Sequence, residues 1–405
     1  MSRVDRDRSI LYAAGFLRAV NTACVGILLG LHLARIGLTP GTAGQILTSG
    51  LLGAASVAGI ATFFADRIGP RTFLFATSAL GAIGTVAFVL TSSPFALGAA
   101  AFVAGLNAVG KDRSAALIIE QSTLPATVSD EHRTRAIAVH TMLEDLGHAL
   151  GSLLAGVPSL LSASAAPDLH LALGLTSLGP LAAIALYATV GSAFAAPRTA
   201  RVAVSPESRR ILTRISSLFL LDALGGGFLA SSLLTWFFFE RFGAREMEIG
   251  VLFALARGAN ALSHLGAAWL ARRIGLVNTM VFTHIPSSLL LVTVAFAPSF
   301  PVAAVLFLLR EGLVEMDVPT RQSYVLAVVR AEERTFATGV TQLVRLLGWA
   351  VAPAFAGALI EGTELFAPLV AAAAMKIAYD VMLYFSFRRL RPPEEISDPR
   401  DAGDE

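Results

Sequence analysis

Apolar stretches of roughly 20 residues or more run the length of this chain, separated by short charged or turn-forming breaks. They predict helical spans near 10–35, 43–65, 72–92, 96–121, 135–161 and 171–194, then near 211–240, 247–271, 277–297, 302–326, 336–360 and 366–387. Each is long enough to cross the hydrocarbon core of a bilayer. A barrel would need strands alternating with period two, and none is found; in lipid the backbone must otherwise satisfy itself as helix. The links carry turn chemistry, as in Gly37-Leu38-Thr39-Pro40-Gly41 and Ser92-Ser93-Pro94. The longest polar stretch between spans contains Pro197, Arg198, Arg201, Pro206, Arg209 and Arg210. The predicted fold is therefore an all-α membrane protein with twelve transmembrane helices in two pseudo-symmetric six-helix bundles. Residues 1–194 form the first half, 195–210 a cytoplasmic linker, 211–388 the second half and 389–405 a disordered acidic cytoplasmic tail.

The halves repeat one another. Ala65-Asp66-Arg67-Ile68-Gly69 returns as Ala271-Arg272-Arg273-Ile274-Gly275, and Arg35-Ile36-Gly37 as Arg241-Phe242-Gly243, both at an offset of 206 residues. Farther along, Arg133-Thr134, Gly147 and Gly156 face Arg334-Thr335, Gly348 and Gly357 at an offset of 201. Two copies of one unit read as an internal repeat.

Asp66-Arg67-x-Gly69-x-Arg71 after an apolar helix resembles the signature between the second and third helices of the major facilitator superfamily. Thr62 and Pro70 stand where that pattern has a glycine and a basic residue. The stretch from Met316-Asp317-Val318-Pro319-Thr320-Arg321 through Glu333-Arg334 is similar to a prokaryotic subgroup of predicted transporters in that superfamily. The resemblance implies that the first, fourth, seventh and tenth helices line a central cavity, which would hold Arg18, Asn21, Lys111, Arg113, Asp222, Arg310 and Glu311. It also implies that the loop with Asp66, Arg67, Gly69 and Arg71 is a conformational latch, Asp66 meeting the start of the eleventh helix near Ala337. Gly147-x-x-x-Gly151-Ser152-x-x-Ala155-Gly156 and Gly348-x-x-x-Ala352-Pro353-x-x-Ala356-Gly357 resemble the glycine-proline signature of the superfamily's exporters. Small residues so spaced equally serve plain close packing.

Composition agrees with a membrane protein: 55% of residues are hydrophobic and 15% charged, with mean hydropathy +0.68, against about 25% charged in soluble domains. The first apolar stretch contains Arg18 and Asn21 and is read as a retained helix rather than a cleaved signal. Most Lys and Arg outside the spans fall on one side, leaving Arg35, Arg241 and Arg245 on the other. That asymmetry places both termini in the cytoplasm, in a plasma (inner) membrane. The single cysteine, Cys24, excludes an internal disulfide and a thiolate metal cluster.

Ionisable groups inside spans need partners or water. The cations Arg18, Lys111, Arg113, Arg257, Arg310 and Arg345 nearly balance the anions Asp112, Glu144, Asp145, Asp222, Glu311, Glu315 and Asp317, which points to internal pairing around a wet cavity. Gly105-x-x-x-x-Gly110-Lys111 imitates a phosphate-binding loop, but Asp112 follows it and the surroundings read as helix, so ATP binding is set aside. His140, Glu144 and His148 recur every four residues, a spacing that could ligate a transition metal or simply form a polar stripe; no matching cluster occurs in the second half, and no metal is assigned. His264 and His284 read as isolated packing residues. Lys376 and Asp380 read as a mutually neutralising pair within one helix. Glu120 and Glu144 face Arg321 and Arg345 across the repeat with opposite charge, which suggests pairs between the halves that would act with the latch. Glu144 and Asp145 lie near mid-membrane, where two adjacent carboxylates cannot both stay ionised cheaply, and they are the candidate proton carriers.

The function expected is secondary active transport of a small polar or amphoteric molecule by alternating access, probed below as proton-coupled export (efflux by proton antiport). The alternatives are an uptake permease for a metabolite or metal, or a non-transporting sensor on the same fold. Partners are the small-molecule substrate, protons and the lipid bilayer, with no nucleic acid, no cofactor, no enzymatic activity and a monomeric state.

Overall fold

A computed structural model describes residues 3–112, 114–128, 133–161, 169–190, 205–316, 321, 329 and 333–387. In the first half the helices are α1 (Arg3–Arg35), α2 (Pro40–Ile68), α3 (Pro70–Val89), α4 (Pro94–Ala104), α5 (Ala115–Thr123), α6 (Arg133–Leu154), α7 (Val157–Leu161), α8 (Leu169–Leu175) and α9 (Leu178–Thr189). The second half has α10 (Pro206–Gly227), α11 (Ser231–Phe242), α12 (Glu246–Ile274), α13 (Leu276–Ala295), α14 (Phe300–Val314), α15 (Arg334–Gly362) and α16 (Ala367–Phe387). Every long regular element among the described residues is helical, as the hydropathy pattern predicts. Among the described residues, eight helical stretches are long and apolar enough to cross a membrane. The remaining four expected spans, the fourth, fifth, eighth and tenth, are broken, charge-bearing or only partly described.

Turn residues set the boundaries. Gly69 enters α3 at φ 91° with Pro70 in the first helical position, and Gly275 enters α13 at φ 84°. Both dihedrals lie where only glycine is unstrained. The fourth span departs from the continuous helix expected over 96–121. Gly105 closes α4 in the left-handed conformation (φ 60°), Gly110 adds a second left-handed turn (φ 72°), and Ser114 caps α5. Lys111 and Asp112 thus lie in an unwound break, not in a helix. Asn107 replaces part of the lost backbone pairing by accepting from the Val109 N–H and donating to the Lys111 carbonyl, each at 2.8 Å. The seventh span is likewise interrupted between α10 and α11.

The chain forms two compact units. The first contains residues 1–199 together with Gly227–Arg257 and Trp349–Pro368; the second contains 200–226, 258–348 and 369–405. Two pieces of the second half of the sequence thus belong to the first unit. Residues 195–204 of the linker and the whole acidic tail lie outside the described residues.

Within the first unit, small residues bring backbones together. A Cβ on Gly26 would stand 2.9 Å from the Gly110 Cα, and one on Gly30 would strike the Ser232 carbonyl. Ser231 Oγ donates to the Val109 carbonyl at 2.7 Å, Ser232 Oγ to the Gly26 carbonyl at 2.7 Å, and the Ser232 N–H to the Ala108 carbonyl at 3.0 Å. The start of α11 therefore caps the break in the fourth span. Pro353 inside α15 faces Gly44, and the Ala354 N–H donates to Thr48 Oγ1 at 2.9 Å. Arg35 and Glu246 form an ion pair in the same unit. In the second unit Ile215, Phe219, Met280, Val281, Tyr379 and Leu383 form the packed centre. Side chains such as Ile83, Leu90, Phe95 and Leu161 stay exposed, as lipid-facing positions would.

Adding a methyl at Gly30 should cost about 1–3 kcal/mol through overpacking against backbone. Gly59, where an added Cβ meets nothing within 4 Å, supplies the comparison. Thermal unfolding of the purified protein should show Gly30→Ala melting well below wild type and Gly59→Ala close to it; equal melting of the two variants would refute the contact.

Candidate functional site

Arg18, halfway along α1, gathers the charges of the first unit. Its Nε pairs with Asp112 from the break. Its two terminal nitrogens hold Glu120 of α5 in a fork, Nη1 to Oε1 at 2.6 Å and Nη2 to Oε2 at 2.7 Å. Glu144 of α6 is held more loosely, at 3.3 Å from Nη2. Tyr187 of α9 donates its hydroxyl proton to Glu120 and accepts from Arg18 Nη1 at 3.2 Å. His140, one turn before Glu144, places Nε2 3.3 Å from Glu120 and Nδ1 3.4 Å from Glu144. The ring fits because the facing α1 residue is Gly15, whose Cβ would lie 2.7 Å from Nε2. Gly147 and Gly151 extend that close contact, each meeting α1 backbone carbonyls.

The break contributes more than one carboxylate. The Asp112 N–H donates to His148 Nε2 at 3.0 Å, and Asp112 Oδ1 accepts from the Ser114 N–H at 2.8 Å. Ser114 in turn caps α5 by accepting from the Leu117 N–H. Asp112 therefore ties the break, α5 and α6 to one arginine.

The second unit holds the same design with the signs exchanged. Asp222 of α10 receives Lys376 of α16 at 2.8 Å on Oδ1, and on Oδ2 Arg345 of α15 at 3.0 Å and Arg321 at 3.5 Å. Both guanidinium groups lie over the Phe219 ring, 5.4 and 5.8 Å from its centre. His284 of α13 meets Asp380 through Nδ1 at 3.0 Å, and its Nε2 lies 3.4 Å from Lys376 Nζ. This arrangement fits a neutral imidazole that donates at Nδ1 and accepts at Nε2.

Several expectations change. Glu120 and Glu144 find Arg18 and His140, while Arg321 and Arg345 find Asp222, so all four charges have partners inside their own unit. The reason is proximity: helices packed within one bundle offer an opposite charge without crossing to the other. Lys376 and Asp380 do not neutralise each other, because Asp222 and His284 offer better-placed partners from neighbouring helices. His284 is a hub member rather than a packing residue. Asp145 is half-buried and is not among the carboxylates on Arg18, since one residue along a helix turns the side chain by about 100°. Arg310 pairs with its neighbour Glu311, which also accepts from Asn260 Nδ2 at 3.0 Å. Asn21 packs against Gly179. Lys111 is half-buried in the break. Arg71 donates to the Ala188 carbonyl at the end of α9. Arg113, Asp317 and the side chains of Asp66, Arg67 and His264 lie outside the described residues. His140 and His148 serve separate partners, and no set of three His, Cys, Asp or Glu among the described residues is arranged to hold a metal ion.

Tyr187 was not singled out by sequence. A single hydroxyl in an apolar helix carries no spacing signal, and its meaning comes only from Glu120, 67 residues away.

The architecture and its buried charges define a polytopic helical membrane protein of the transport class. A family model described as Major Facilitator Superfamily matches residues 11–353 and, separately, 218–404. The chain belongs to the Major Facilitator Superfamily and is a transporter, not an enzyme. It is 24% identical to an uncharacterized membrane protein of Saccharomyces cerevisiae, over 95% of this chain and 94% of that one. That relative is eukaryotic, so it lends nothing to the prokaryotic grouping. The fold is similar to the xylose transporter XylE from E. coli in its inward-open conformation (TM-score 0.74, 12% identity, 97% of this chain and 99% of that one). It is also similar to the nucleoside transporter NupG (TM-score 0.70, 13% identity, 96% and 98%).

Removing one partner from a buried ion pair costs about 3–5 kcal/mol, because the remaining charge is stranded. Arg18→Gln strands three carboxylates and should lower the melting temperature sharply. Adding Glu120→Gln should restore part of the loss, so the two changes combine non-additively. Strictly additive destabilisation in a double-mutant cycle would rule out the shared pairing.

Proposed function

We propose that this transporter is a secondary active, proton-coupled carrier of a small polar or amphoteric molecule, working by alternating access across the plasma membrane with both termini cytoplasmic. The observation that carries the reading is the charge count around Arg18: three carboxylates converge on one guanidinium inside a membrane span. One arginine neutralises one of them. The excess negative charge favours a bound proton in a site of low dielectric.

Glu144 is the best supported carrier of that proton. Its bond to Arg18 is the longest of those measured, and its side chain is 9% exposed against 0% for Glu120 and 2% for Asp112. Glu120 is forked to Arg18 and also receives Tyr187, so it has the most to lose on protonation. His140, between Glu120 and Glu144, gives the proton a second place to rest. Asp145, expected from sequence to share the role, has weaker support because it is not among the groups paired with Arg18.

Export by proton antiport is the proposed direction, on the resemblance of the glycine-rich fifth and eleventh spans to those of exporters. The loop with Asp66, Arg67, Gly69 and Arg71 is the proposed conformational latch. Arg71, tied to the end of α9, supports a fixed geometry for its last residue.

The experiment begins with a metabolite and toxicant panel in cells with and without the protein, followed by purified protein in vesicles. Glu144→Gln should abolish accumulation driven by an imposed pH gradient while sparing exchange of labelled for unlabelled substrate. Accumulation at the wild-type rate in a well-folded Glu144→Gln protein would sink the assignment.

A further inference from the structure

Arg18 is surrounded by carboxylates; Arg257, on α12 in the same unit, is not. It lies eleven residues beyond Glu246, the first residue of α12, which is roughly 16 Å at 1.5 Å per residue and so near the middle of a hydrocarbon core about 30 Å thick. Its Nη1 is buried and meets no acceptor among the described residues. The three carboxylates gathered on Arg18, Asp112, Glu120 and Glu144, form no ion pair with Arg257.

A second buried donor stands close by. His148 Nε2 accepts from the Asp112 N–H, so a neutral imidazole must carry its proton on Nδ1. That Nδ1–H is buried and also meets no acceptor among the described residues. Arg257 is near enough for its charge to be felt at His148, as are Lys111 and Asp112 of the break. Lys111 has contacts of its own and contributes charge rather than an open donor.

We propose that Arg257 and His148 form the anion-binding part of the substrate site, and that the substrate carries a carboxylate, phosphate or sulfonate group. The inference rests on the reading of the chain as a transporter and names its substrate class. A guanidinium held inside a membrane span without a counter-charge is costly unless something supplies one. An anion with two or more acceptor oxygens satisfies the guanidinium by charge-assisted hydrogen bonds and takes the His148 N–H as well. A neutral acceptor would satisfy the hydrogen bonds and leave the charge. Asp112 bonds to the opposite side of the His148 ring, which fixes the tautomer and keeps Nδ1 a donor.

Binding is read on purified full-length protein at fixed pH with no gradient, using sodium benzenesulfonate, sodium benzoate and potassium phosphate as probes and tetraphenylphosphonium as a cationic comparison. At least one anion should raise the melting temperature of the wild type in a saturable way. Its affinity should fall tenfold or more in Arg257→Gln and in His148→Phe, and stay within a few-fold in Arg257→Lys. Because Cys24 is the single cysteine, a Cys24→Ser/Arg257→Cys protein gives a charge test that does not depend on the shape of arginine. Labelling with a methanethiosulfonate that adds an ammonium should restore binding, and one that adds a sulfonate should not. The proposal is overturned if no anion binds, if Arg257→Gln binds as tightly as wild type, or if both labels restore binding equally. These results stand apart from the proton reading. A protein that binds anions but whose Glu144→Gln variant still concentrates substrate would refute proton carriage alone.

Discussion

A charge inside a membrane span must be answered by another charge, and the answer to Arg18 organises the first half of this protein. Its fork reaches Asp112, Glu120 and Glu144 from three separate elements, and Tyr187 adds a fourth. Those elements have to converge on α1, and the local sequence is arranged to let them. Gly15 makes room for His140, and Gly147 and Gly151 bring α6 against the α1 backbone. The fourth span unwinds at Gly105 and Gly110, which frees the Asp112 N–H for His148 and puts the side chain on Arg18. An unbroken helix would have committed that N–H to its own ladder. Irregular backbone at membrane depth is tolerated where protein satisfies it, and here Asn107, His148, Ser231 and Ser232 do so.

The second half solves the same problem with opposite charges. Glu120 and Arg321, and Glu144 and Arg345, are repeat-equivalent and reversed in sign, yet each finds its partners in its own unit around Arg18 or Asp222. This has a mechanical consequence for a carrier whose halves rock. A buried pair made between halves would be stranded on every cycle, at about 3–5 kcal/mol for each lost partner. Charges closed within a half can travel with it. Reversal of sign at equivalent positions then needs no cross-half attraction to explain it: either sign works, provided the hub residue is its opposite.

Much of this was legible in the chain itself. The spans, the turns at Gly37, Gly69, Gly243 and Gly275, and the repeat follow from periodicity and from residues whose conformational preferences are local. Arg18, Glu120, Glu144, Asp222, Arg321 and Arg345 also stand out, because charge in an apolar stretch is conspicuous. Their partners do not. Lys376 and Asp380 satisfy the i, i+4 rule, but a rule about one helix cannot weigh a neighbour such as His284 or Asp222. Hydropathy averaged over a window passes smoothly through Gly105–Gly110, since glycine neither raises nor lowers it enough to mark a break. Tyr187 and Asp380 gain their roles only from residues far away in sequence.

The contacts around the outer ends of the first unit are of another kind. Where α1 and the fourth span meet α11, and α2 meets α15, the contact is made by glycines against backbone and by hydroxyls on carbonyls: Ser231 on Val109, Ser232 on Gly26, Thr48 beside Pro353. Such surfaces hold by van der Waals contact and by neutral hydrogen bonds worth about 1 kcal/mol each. If they part, water can take over the carbonyls and hydroxyls at little net cost. Water cannot so cheaply replace a counter-charge at mid-membrane. The Arg35–Glu246 pair, whose carboxylate is buried, stands at the end of α1 and the first turn of α12 rather than at mid-membrane, where water can reach both ions once they separate. Strong, low-dielectric pairing thus gathers around Arg18 and Asp222, and weak, water-replaceable contact joins α1 and α2 to α11 and α15.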